Sequence, residues 1–144
     1  MTDQLYHQAI LELAKQAGRT PRLEAPDASV TVDNPLCGDR VTLDLSLADG
    51  RVGAVGHKVR GCLLCQAAAA VIAARAPGET PAALLAIAER LGRAVRKDPA
   101  MAECLWPELE AFAPVHAHRS RHDCVLLPFE ALTRALDEIE NSGP

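Results

Sequence analysis

The sequence has no surplus of basic residues. Fifteen Lys and Arg stand against nineteen Asp and Glu, a formal net charge of −4, so the chain offers no positive field for a phosphate backbone and nucleic acid is not expected as a partner. It also lacks an apolar run long enough to cross a bilayer, and its first segment, MTDQLYHQAILELAKQ, has no basic stretch followed by an apolar one. Neither a membrane span nor a secretory signal is expected, and the reading is a cytoplasmic protein. Internal repeats and polar low-complexity tracts are missing as well, which removes any composition-driven reason for disorder.

What is present suits one ordinary domain over residues 1–144, because domains cluster around roughly 100 to 150 residues. Hydrophobic residues at 49% against 24% charged are enough to bury a core. The five cysteines are an odd number. In a reducing compartment they read as thiols or metal ligands rather than as a disulfide framework.

Along the chain, Leu5, Ile10, Leu11, Leu13 and Ala14 recur at helical spacing, with Gly18 as the stop. Pro21 and Pro26 then make a connector that leads through Val30 and Val32, a short edge strand, to Asn34-Pro35. From Val41 the alternation predicts a half-buried strand. Val41, Leu43, Leu45 and Leu47 point one way, and Thr42, Asp44 and Ser46 the other. Asp49-Gly50 supplies a hairpin turn, and Arg51 to Arg60 the returning strand. Alanine-rich CLLCQAAAAVIAARA predicts a helix from about Cys62 to the Pro77-Gly78 stop. Thr80 caps the next helix, with Pro81 in its first position, and Asp98-Pro99 closes it. A short helix runs from Pro107 to Phe112 before Pro114, HAHRSRHD follows as a solvated polar stretch, and Val125 to Ile139 is the last helix, with Pro128 in its first turn. The order predicts an α+β fold, a small antiparallel sheet packed against several helices.

Three cysteines fall at element ends: Cys37 in the turn before the hairpin, Cys62 where the hairpin hands over to a helix, and Cys124 at the start of the last helix. A helix N-terminus favours thiolate, the form that binds metal or attacks sulfur. Gly38 permits a tight turn, so Cys37 and Asp39 are able to face one point. Three sulfurs and one carboxylate would make a tetrahedral zinc site. Spacing alone leaves a second reading open, three ordinary buried cysteines, since Cys is among the most buried residue types.

NPLCGD at 34–39, GCLLCQAAAA after a glycine-punctuated strand, and RHDCVLLPFEAL resemble the U-type iron-sulfur cluster assembly family, which comprises the NifU amino-terminal domain, IscU and SufU. The blocks occur in the family's order and span residues 34–135. The resemblance implies a compact α+β domain in which Cys37, Asp39, Cys62 and Cys124 bind zinc or hold a nascent [2Fe-2S] cluster. It further implies that sulfur is accepted from a cysteine desulfurase and either assembled or relayed to recipient iron-sulfur apoproteins, with Cys37 as the acceptor. Arg121-x-x-Cys124 and the long segment before it look like SufU, whose zinc-bound form transfers sulfur. In IscU a histidine precedes the third cysteine and a Leu-Pro-Pro-Val-Lys motif docks a chaperone, whereas this chain has Asp123 and Ala113-Pro114-Val115-His116. Leu63, Cys65 and Ala67 to Ala70 also replace the serine-rich run usual in SufU.

Two other readings compete. Cys62-Leu63-Leu64-Cys65 is a C-x-x-C at a helix start, as in thiol oxidoreductases, although no βαβ pattern precedes it; Cys65 reads as a small buried hydrophobe and Cys104 as a packed residue. A zinc-stabilised binding module without sulfur transfer would carry the same ligands. His116, His118 and His122 read as part of the solvated stretch, with His122 as an alternative ligand; Arg121, if near the site, as an ion-pair partner for Asp39; and His57 as an exposed strand residue.

Overall fold

The computed structural model describes residues 8–35, 38–98 and 106–142. Cys37, Cys104, Leu5 and Pro99 lie outside them. The elements run α1 (Gln8–Ala17), β1 (Ala28–Asn34), β2 (Asp39–Ala48), β3 (Arg51–Arg60), α2 (Leu63–Arg75), α3 (Pro81–Arg96), 3₁₀-helices over Pro107–Ala117 and Arg119–Arg121, and α4 (His122–Ser142). The strands form one antiparallel sheet in the order β1-β2-β3, so the predicted α+β architecture holds.

Register sets which side chains meet. Val41, Leu43 and Leu45 face Val59, His57 and Val55 across the β2–β3 pair, and all three β2 residues are fully buried. Asp49 and Gly50 both take positive φ, 55° and 78°, the primed turn that matches the twist of a two-residue hairpin. Against the inner face lies α2, whose Leu64, Cys65, Ala67 to Ala70, Val71 and Ile72 are all buried. A helix apolar on every side must be surrounded, and α2 packs against α1, α4 and β3. Each fully buried Leu or Ile in this core contributes roughly 2 kcal/mol through area removed from water. The Thr80 hydroxyl accepts from the Ala83 N–H at 3.2 Å, and Pro81 occupies the first turn of α3.

As expected, β2 is half-buried, with Arg40 exposed and Thr42 and Ser46 partly so on the outer face, and Asp44 is the exception. On the outer side Asp44 has no exposed surface, because the connector before β1 lies across it. Arg22 Nε and Nη2 donate to the Asp44 carboxylate at 2.9 and 3.1 Å, the Ser29 hydroxyl at 2.6 Å and the Leu23 N–H at 3.0 Å. Gly56 makes that approach possible, since a Cβ there would meet Leu23 N and Pro21 O at 2.7 Å.

The carboxy-terminal third departs most from the sequence reading. The 3₁₀-helix continues through Pro114 to Ala117 rather than stopping at Phe112. Leu109, Phe112 and Val115 are buried at the three-residue spacing that a 3₁₀ turn places on one face. The last helix begins at His122, three residues before the expected Val125, so Pro128 is interior rather than in its first turn. It has no N–H to offer the carbonyl of Cys124, four residues earlier.

Candidate metal centre

Asp39, Cys62 and Cys124 reach one point from three elements. Asp39 opens β2, following Gly38, whose φ of +77° belongs to the left-handed region and whose N–H donates to the Asn34 carbonyl at 2.8 Å. Cys62 is the extended N-cap residue of α2, two positions after the end of β3. Cys124 stands in the first turn of α4, which the Arg96–Asp123 ion pair ties to the end of α3 at 2.9 Å. One ligand atom from each of the three lies within 4.8 Å of the others, and Cys62 Sγ is 3.7 Å from Asp39 Oδ2. Zn–S bonds of about 2.3 Å in a tetrahedron put ligand atoms roughly 3.8 Å apart. The donor set and its spacing therefore fit a zinc-sized, thiolate-preferring ion. Of the four residues expected to form the site, these three converge and Cys37 lies outside the described residues.

The cluster is sheltered but open on one side: Asp39 is 5% and Cys124 2% exposed, whereas Cys62 is half-buried. A groove of about 560 Å³, bounded by Asn34, Gly38, Arg40 and Arg60, runs up to Asp39. The two thiols share a proton unequally. A hydrogen bond with Cys124 lowers Cys62 to about 7, against the upward push of burial and of Asp39, and the nearby amides of Cys65 and Leu64 assist. That same bond, with burial and the charge on Cys62, pushes Cys124 well up, while Arg121 at its side opposes the shift. Ionisation is therefore favoured at Cys62 over Cys124. The structure puts Arg121 against Cys124.

Gly61 enters the sequence reading only as the first residue of the GCLLCQAAAA block. A Cβ on Gly61 would meet the Asp39 carboxylate carbon and Oδ1 at 2.9 Å, so only glycine lets the carboxylate lie against the chain beside Cys62. The strand register was the available signal, since Arg40 pairs with Arg60 and brings the ends of β2 and β3 together.

Within the largely exposed HAHRSRHD stretch, His116 and His122 turn inward. His122 is 6% exposed; its Nε2–H donates to the His116 carbonyl at 3.0 Å, and His116 Nδ1–H donates to the Val95 carbonyl at 2.9 Å, because a carbonyl can only accept. The two rings stack with centroids 6.3 Å apart, and together they fasten the 3₁₀ segment to α3. His57 is buried rather than exposed, at 3%, opposite Leu43 on the inner face, with no partner for either ring nitrogen among the described residues. Burial lowers its pKa.

Comparison with known proteins gives the family and the fold. Residues 5–103 match the family profile described as NifU-like N terminal domain. The chain is 28% identical over 140 residues to a Thermotoga maritima protein named iron-sulfur cluster assembly scaffold protein IscU, covering 94% of each chain. It is 23% identical over 138 residues to a Streptococcus pyogenes protein of the same name, covering 96% of this chain and 86% of that one. Among solved structures, the amino-terminal part of a nitrogen-fixing NifU-like protein from Brucella abortus superposes with a TM-score of 0.87 at 33% identity over 99% of both chains. A SUF-system scaffold from Fervidobacterium islandicum shares the fold at a TM-score of 0.78 and 23% identity, covering 94% of this chain and 99% of that one. Among the described residues no helix is long and apolar enough to cross a membrane.

Proposed function

The chain belongs to the NifU-like N-terminal domain family, and from that premise we propose that it takes part in iron-sulfur cluster assembly, accepting sulfur from a cysteine desulfurase at a site made of Asp39, Cys62, Cys124 and Cys37. The observation that carries this reading is the convergence of one carboxylate and two thiols, from β2, the start of α2 and the start of α4, within 4.8 Å. Relatives that bear the name of iron-sulfur cluster assembly scaffold match over most of their length.

In this reading Cys37, which falls between β1 and β2 in the sequence, is the acceptor, as the resemblance implies. Its thiolate attacks the outer sulfur of the desulfurase persulfide, forming a new S–S bond while the donor cysteine leaves as thiolate. Cys62, the more readily ionised thiol and open to solvent, is placed to take that sulfur on by the same exchange. Asp39 supplies a fixed negative oxygen, and Cys124 holds a proton to return to a leaving thiolate. Resident zinc, when bound by these residues, would hold the thiols deprotonated and keep them out of disulfides. A nascent [2Fe-2S] cluster is cargo for the same donors, handed on to recipient apoproteins.

The test is elemental analysis and visible absorption on anaerobically purified protein, before and after incubation with a desulfurase, cysteine and ferrous iron. Tightly bound zinc without a chromophore, with faster desulfurase turnover, identifies a sulfur-transfer partner. A brown protein with equal iron and sulfide, lost on Cys62→Ala, identifies a scaffold. If both results are absent the functional reading is refuted, and Cys37→Ala taking up persulfide at the parental rate refutes the acceptor assignment.

A further inference from the structure

Cys62 and Cys65 bracket the first turn of α2, Cys62 as its N-cap and Cys65 three residues on. Helical residues three apart share a face, with Cβ atoms about 5–6 Å apart, whereas a disulfide needs about 4 Å. Cys62 stands outside the helical spacing: its backbone is extended, φ −71° and ψ 171°, and its sulfur lies 3.7 Å from Asp39 Oδ2. Closing the gap requires rotation at the cap, not unwinding of the helix. The two sulfurs also differ in access. Cys62 is half-exposed, while Cys65 has no exposed surface and neither cysteine is in a disulfide. Cys65 is not among the described residues whose ligand atoms converge on the metal centre. Alanine fills the next four buried positions, Ala67 to Ala70, so filling space alone does not call for a thiol at 65.

We propose that Cys65 is an internal resolving thiol that reduces sulfane sulfur carried on Cys62 to sulfide, inside the site where sulfide is needed. The inference rests on the sulfur-accepting reading above. Cys65 attacks the inner sulfur of a Cys62 persulfide; the bond between that sulfur and the outer one breaks, and a Cys62–Cys65 bond forms. The outer sulfur leaves as hydrosulfide and takes the Cys65 thiol proton. Two thiol sulfurs are oxidised to a disulfide and one sulfane sulfur is reduced to sulfide. An external dithiol reductant then attacks the accessible Cys62 sulfur and restores both thiols. Burial makes Cys65 specific for this step, since bulk oxidants and thiols do not reach it but Cys62 does.

The experiment uses the full chain as purified, parental and with Cys65→Ala, Cys65→Ser or Cys62→Ala, exposed anaerobically to inorganic polysulfide, then alkylated and digested with trypsin. Residues 61–75 form one peptide carrying both cysteines. The parental peptide is expected unalkylated and lighter by two hydrogens, while both Cys65 variants keep an extra sulfur on Cys62, at least about tenfold more than the parent. Parental peptide that retains the extra sulfur at the variants' level, or a bridge from Cys62 to Cys124 instead, overturns the proposal. A second arm replaces polysulfide with a cysteine desulfurase and cysteine. Failure there alone, with the disulfide formed from polysulfide, removes the sulfur-accepting reading and leaves the thiol pair standing.

Discussion

Asp39 and Asp44 are five positions apart on one strand and both are buried, at 5% and 0% exposure, yet their surroundings are opposites. Asp44, on the outer face, receives four hydrogen bonds from Arg22, Leu23 and Ser29. Asp39, on the inner face, has among the described residues one recorded side-chain partner, the Cys62 sulfur at 3.7 Å. A carboxylate whose lone pairs are all taken holds structure together. One buried beside two thiols suits the ligand role proposed for it, because burial without donors is costly unless something else supplies positive charge.

The comparison is broken most forcefully at Asp44. Asp44→Asn is expected to destabilise the fold by about 2 kcal/mol, the scale for leaving the partners of a buried hydrogen-bonded carboxylate unsatisfied, with metal content per folded molecule unchanged; urea denaturation and elemental analysis read the two quantities. Asp39→Ala should give the reverse pattern. Stability without metal changes by less than about 1 kcal/mol, while zinc affinity, measured against a competing chelator, drops by more than about 100-fold, beyond the loss typical of residues that only support a ligand. Gly61→Ala tests the same end indirectly: a methyl group displaces the Asp39 carboxylate, and zinc affinity is expected to fall about tenfold with the helical signal in circular dichroism retained.

The smallest effect is a pH signature. Burial pushes the Asp44 pKa up, but the hydrogen bonds from Arg22, Ser29 and the Leu23 N–H, with the charge of Arg22, bring it below its ordinary value. A depressed carboxyl stabilises the fold fully above its unfolded value, near 4, and loses that contribution as pH falls through the folded one. The stability gap between parent and Asp44→Asn should therefore narrow below about pH 4. A gap that stays constant down to pH 2 would show that the charge of Asp44 is not what stabilises the connector.

Much of this was legible in the sequence because local rules decide it. Alternation from Val41, the Asp49-Gly50 turn, the Thr80-Pro81 start and the three cysteine blocks need no knowledge of distant contacts. Asp44 was visible only as an outward strand residue, since nothing local announces that residues 20–27 fold back over it. His57 was misread for a related reason. A polar residue beside Lys58 and Arg60 looks exposed, but the β2–β3 register places it opposite Leu43. The histidines before α4 looked solvated because polarity was the only cue, whereas their carbonyl partners, Val95 and His116, become neighbours through tertiary packing. Pro114 looked like a stop because a proline breaks α-helical bonding; the tighter 3₁₀ winding passes through it. For the site, sequence supplied the donors, and the fold supplied Gly61 and the division of the proton between Cys62 and Cys124.

Pro128 gives the centre a mechanical property. With no N–H to reach back to the Cys124 carbonyl, the opening turn of α4 is fastened to the rest of its helix by one strut fewer than an unbroken helix would provide. Asp39 and Cys62, by contrast, are clamped by the sheet register and by Gly61. The donors therefore differ in stiffness: two form a rigid jaw, and the third rides on a compliant one, able to follow a change in the size of what is held without straining the sheet beneath it.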